Sequence, residues 1–166
     1  MGFGRENVMN KTKARIKAMS TAIVCVLVFI AALSAISSIW AVWGWAANGL
    51  ALDIRINAGV WIMRQILLTV LLVYAALIFH RIGKEETPFF KKLPRRIKIA
   101  AVLLFVALVV PQWIGYAALS ISTGTFSFVV FDENSIMALA LAFVVFCLGQ
   151  IFEYGYLVQD ENYEII

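Results

Sequence analysis

Apolar and charged positions are sorted along this chain into long, separate blocks. No charged residue stands between Lys17 and Asp53, or between Lys98 and Asp132. Residues 56–79 carry only Arg64, and residues 134–152 carry no charge. A charge-free run of about 18 residues or more is long enough for a helix to cross the hydrocarbon of a bilayer. The runs are continuous, whereas the strands of a membrane barrel alternate in polarity over only about ten residues. The pattern therefore predicts an all-α fold with four transmembrane helices, over about 19–43, 58–79, 97–116 and 135–157. A single polytopic domain with the helices in a bundle is expected, with a polar connection at 80–96 and a tail at 158–166.

Composition removes other classes. Of the 166 residues, 63% are hydrophobic, and the mean hydropathy is +0.90. A water-soluble domain of this size would expose far too much apolar surface. Four spans of roughly 20 residues, with their connections, use nearly the whole length and leave no space for a soluble catalytic domain. No nucleotide-binding loop, Ser/His/Asp set or paired-carboxylate site is present. The expectation is a non-enzymatic protein without a cofactor, whose first partner is the lipid bilayer.

The placement of positive charge predicts orientation. Arg5, Lys11, Lys13, Arg15 and Lys17 precede the first span, and Arg81, Lys84, Lys91, Lys92, Arg95, Arg96 and Lys98 lie between or flank the second and third. The first opposite connection has Arg55, and the second has no Lys or Arg. Basic flanks are retained in the cytoplasm, so both termini are expected inside, in a plasma membrane. Trp40, Trp43, Trp45, Trp61 and Trp113 all fall towards the other side, where indole rings favour the interface. The net charge of +4 is thus an orientation signal, and direct nucleic-acid binding is not expected without a folded basic module. The apolar run from Ala18 exceeds the roughly 7–15 residues of a signal-peptide core, which favours an uncleaved span. Cys25 and Cys147 lie within spans and read as small packing residues, so no disulfide or metal framework follows.

A few polar residues interrupt the spans. Arg64 is ionisable and intramembrane, which makes it a candidate site residue, although Arg near a span end also snorkels to the interface. Asp53, Asp132 and Glu133 are candidate partners for it. Pro111 frees a backbone carbonyl one turn earlier, and Gln112 beside it has an amide that can satisfy that carbonyl or reach another helix. Glu153 at the inner end of the fourth span can meet His80 or Arg81, a pairing that reads either as a proton relay or as interfacial groups. Ala31, Ser34, Ala35 and Ser38 form a small-residue stripe that suits close helix contact, within the chain or in a homo-oligomer. The outer stretch 120–134 turns apolar at Phe126, Phe128, Val129, Val130 and Phe131 and suits a cap or an outer-leaflet contact.

On the expected cytoplasmic side, the connection runs Gly83-Lys84-Glu85-Glu86-Thr87-Pro88-Phe89, and the chain ends Gly155-Tyr156-Leu157-Val158-Gln159-Asp160-Glu161-Asn162-Tyr163 before Ile165-Ile166. In these two motifs, at these positions in a four-span chain, the sequence resembles the DUF2975 family of small bacterial membrane proteins. Val158 departs from the family's usual Leu, and Tyr163 from its usual Asp. The family brings no catalytic residue. Its members are often encoded beside a small helix-turn-helix regulator, so the resemblance implies a cytosolic partner docking on Gly83, Pro88, Phe89, Gln159, Asp160 and Glu161. The resulting expectation is a membrane sensor or sequestering partner of such a regulator. In that reading, coupling to an outer signal would run near Arg64, Pro111 and Gln112; the alternative is a small transporter, channel subunit or immunity protein against membrane-active peptides, dependent on Arg64 or Gln112.

Overall fold

A computed structural model describes residues 3–47, 49, 51–85, 92–125 and 133–164, with side chains described from residue 11 to 158 except Asn134. Four helices account for nearly all of it: α1 (Phe3–Ala47), α2 (Leu52–Glu85), α3 (Leu93–Thr123) and α4 (Glu133–Glu164). Among the described residues there is no strand. Each helix is long and apolar enough to cross a membrane, as the charge-free blocks predict.

The helices outrun the predicted spans. α1 begins some fifteen residues before Ala18 because Lys, Arg and Ala are good helix formers and polarity alone does not end a helix. α2 continues through His80, Arg81 and Gly83 to Glu85, so the connection between the second and third spans is shorter than 80–96. α3 opens with Pro94 in its first turn, where a missing N–H costs nothing, and ends at Gly124 with φ 67°. Only a residue without a Cβ takes that left-handed conformation readily.

Successive helices run antiparallel and pack only on their sequence neighbours. α1 packs on α2, α2 on α3 and α3 on α4, and among the described residues no other pair of helices brings Cα atoms within 8 Å of each other. These contacts are those of an open row; closure into a four-helix bundle is not among them. Burial follows the same rule. On α1, covered positions recur at Ser20, Val24, Leu27, Ala31, Ser34, Ser38, Ala41 and Trp45, one seam with the 3.5-residue spacing of two packed helices. On α4 the buried face is Ser135, Ala138, Ala142 and Gly149. Small residues are prominent in both seams, which lets backbones approach.

Most large apolar side chains remain uncovered, including Phe29, Trp40, Trp43, Phe143 and Ile151. In water that surface would drive aggregation, whereas lipid tails are as apolar as the side chains themselves. The fold is that of a multi-pass membrane protein. Its two ends differ: a basic end holds Lys17, Lys84, Lys98 and Glu153, and an aromatic end holds Trp45, Arg55, Trp61 and Tyr116.

Candidate functional site

The intramembrane polar residues singled out in the sequence come together between α2 and α3. Pro111 and Gln112 of α3 face Arg64 of α2 across a cavity of about 220 Å³, which Asn57, Gly115 and Tyr116 also line. The α2–α3 seam is unusually close here. A Cβ built on Gly115 would lie 2.5 Å from Val60 Cγ2, so only glycine lets the two backbones meet at this height. Pro111 is fully buried and sits one turn from that contact.

Gln112 Nε2 donates to Tyr116 Oη at 3.1 Å, one turn further along α3. Its amide is thus drawn towards the aromatic end, one turn beyond the proline, and joins the cavity wall. Arg64 is half-buried. Its expected partners do not meet it: Asp53 and Glu133 are exposed, and neither is paired with it among the described residues. Asp132 lies outside the described residues.

A second polar cluster joins α1 to α2 near mid-span. Ser34 Oγ donates to Gln65 Oε1 at 3.1 Å and lies 2.8 Å from Thr69 Oγ1. Thr69 Oγ1 also reaches Gln65 O at 2.8 Å, and Ser38 Oγ donates to Ser34 O at 2.8 Å. The small-residue stripe of α1 therefore has an intramolecular partner. Gln65 and Thr69 escaped the sequence reading because an uncharged amide and a hydroxyl do not break an apolar run; their adjacency to Arg64 and four-residue spacing were the available signal.

At the basic end the pairing differs from expectation. Glu153 Oε2 meets Lys98 Nζ at 2.6 Å, not His80 or Arg81, because among the described residues α4 packs on α3 rather than on α2. With its amide turned to satisfy both, Gln150 donates to Glu153 and accepts from Lys98, each at 3.2 Å. Lys98 Nζ also stands 5.7 Å over the Phe146 ring, within cation–π range. Arg81 instead holds Glu85 one turn along α2, at 3.5 Å. His80 is exposed and lines a pocket of about 310 Å³ with Lys17, Ser20, Thr21, Gly83 and Lys84.

The expected docking residues fare unevenly. Gly83 is a packing residue inside α2, since a Cβ there would lie 3.1 Å from Ser20 Cβ of α1. Pro88 and Phe89 lie outside the described residues. Gln159, Asp160 and Glu161 fall in the last turns of α4, and their side chains lie outside the described residues, as does the apolar stretch 126–132. Among the described residues, no group of three His, Cys, Asp or Glu side chains is placed to hold a metal ion. At the aromatic end, Trp45 Nε1 donates to Arg55 O at 2.9 Å while the Arg55 guanidinium stacks 4.8 Å over the indole. This pair closes the α1–α2 turn.

No family model, curated protein or solved structure matches the chain.

Proposed function

We propose that the chain is a non-enzymatic protein of the plasma membrane, with both termini in the cytoplasm, that senses or sequesters by holding a cytosolic regulator at the inner surface. The observation that carries this reading is the continuation of helices beyond the apolar segments at the basic end. α1 extends about 22 Å ahead of Ala18 at 1.5 Å per residue, and its Lys11, Lys13, Arg15 and Lys17 are all exposed. α4 carries its acidic residues past Tyr156 to Glu164. Such helical ends are long enough to engage a protein beyond the lipid headgroups, while the lysines also favour anionic lipid by about 1 kcal/mol each. The resemblance to the DUF2975 family supports a small helix-turn-helix regulator as the partner. Gly83 packs close to Ser20 in the α1–α2 seam, and the docking surface takes in the helix ends and the connection beyond Glu85.

Co-purification tests this directly. The tagged chain is expected to retain a small helix-turn-helix regulator from its native cells, and to lose it when residues 159–166 are deleted. Recovery of the chain without that regulator, unaffected by the deletion, would refute the reading. A second reading, a small transporter, channel subunit or immunity protein, is favoured by the cavity at Arg64. It requires transport or peptide protection that disappears in Arg64→Leu and survives loss of the tail.

A further inference from the structure

The cavity between α2 and α3 carries a positive charge that nothing described around it neutralises. Arg64 forms no hydrogen bond or ion pair among the described residues, although it stands about 9 Å along the helix inside the expected start of its span at Ala58. A cation at that depth is expensive unless it reaches water, a headgroup or a counter-ion. The lining offers no carboxylate. Its other polar side chains are Asn57, Gln112 and Tyr116. Because Tyr116 Oη already accepts from Gln112, its own hydrogen remains to be donated. The Asn57 amide adds two further N–H groups. One guanidinium, one phenol and one amide thus face a space with no anionic acceptor of its own.

That chemistry fits an oxyanion. The planar fork of Arg matches two oxygens of a phosphate or carboxylate with parallel N–H···O bonds, and the charge of each partner removes the cost of the other. At about 220 Å³ the cavity lies below the roughly 300 Å³ at which pockets take drug-sized ligands. It admits a single phosphate group.

We propose that this cavity binds a phosphate-type oxyanion, gripped by Arg64 and completed by donors from Tyr116 and Asn57. The inference goes beyond the tethering reading and names the ligand chemistry of the intramembrane cavity. The same group reaches the cavity from two sources: free phosphate from the aqueous side, or the headgroup of an anionic lipid lying against the α2–α3 seam.

The test uses the full chain in a neutral maltoside detergent. Inorganic phosphate is titrated against thermal unfolding, and native mass spectrometry scores retention of added phosphatidylglycerol. Arg64→Leu is expected to weaken whichever response the unaltered chain shows by about tenfold or more, and Tyr116→Phe by a few-fold. A phosphate response identifies free anion as the source, and lipid retention without a phosphate response identifies the headgroup. Should Arg64→Leu fail to fold, Arg64→Gln carries the same expectation. Equal responses in the unaltered chain and a folded Arg64 variant, for both probes, overturn the proposal. Regulator co-purification is scored apart: an Arg64-dependent anion response without regulator retention defeats the tethering reading and leaves this site standing, and the converse result defeats this site alone.

Discussion

Gly115 on α3 and Val60 on α2 share a space that holds one Cβ branch and no more. The 2.5 Å separation between a Cβ built on Gly115 and Val60 Cγ2 is well inside van der Waals contact, and Val60 has one favoured rotamer on a helix, so it cannot swing aside freely. Gly115→Ala is therefore expected to push α2 from α3 and destabilise the protein by about 1–3 kcal/mol, the usual range for overpacking. Thermal unfolding in detergent measures this. Adding Val60→Ala should restore most of the loss; a double variant as unstable as the sum of its parts would show that the contact is not the cause.

The Ser34–Gln65–Thr69 cluster is expected to contribute modestly. Interhelical hydrogen bonds within membranes average about 0.6 kcal/mol and reach about 1.7 kcal/mol, because the separated helices find other partners. Ser34→Ala and Gln65→Leu, combined in a double-mutant cycle and read by unfolding in mixed micelles, should show coupling in that range. Additive effects would mean that the two side chains do not interact.

Lys98 and Glu153 are 26% and 48% exposed, so their short contact is substantially screened by solvent. A cycle built from Lys98→Met and Glu153→Gln should give a coupling below about 1 kcal/mol. That coupling should shrink as ionic strength rises, since the Debye length falls to about 3 Å at 1 M salt. A coupling indifferent to salt would point to packing against Phe146 as the dominant contribution.

Orientation is open to a labelling test. Cysteine is placed at Lys13 or at Ser122 after removal of Cys25 and Cys147. The positive-inside distribution predicts that a membrane-impermeant maleimide reaches position 122 in intact cells and position 13 only after permeabilisation. The opposite pattern would invert the topology and with it the sidedness of the Arg64 cavity.

The sequence made the four helices legible because a bilayer demands long charge-free runs, and few other structures tolerate them. Helix ends were less legible: beyond Lys17 or Phe79 the chain turns polar, yet helix-forming residues carry the helices onward. Arg64, Pro111 and Gln112 could be singled out as costly or kink-forming residues, and their meeting in one cavity depended on α2 and α3 being neighbours. Neighbourhood was the missing quantity. Hydropathy says that Glu153 ends a span, not which helix stands beside it, so His80 and Arg81 were as plausible as Lys98. At Gly83 the close approach to Ser20 of α1 was not legible either, since it depends on which helix stands opposite.

The open row has a consequence for biogenesis. Because among the described residues each helix packs on its sequence neighbours, these contacts become available as soon as the next helix leaves the ribosome. Loop closure stays short throughout, which favours rapid, stepwise assembly. A chain interrupted after Thr123 should keep its α1–α2 and α2–α3 contacts and lose the α3–α4 seam, including the cover over Pro94, Ile97 and Lys98. Damage to α4 is then a local injury, whereas damage to α2 separates both of its neighbours at once.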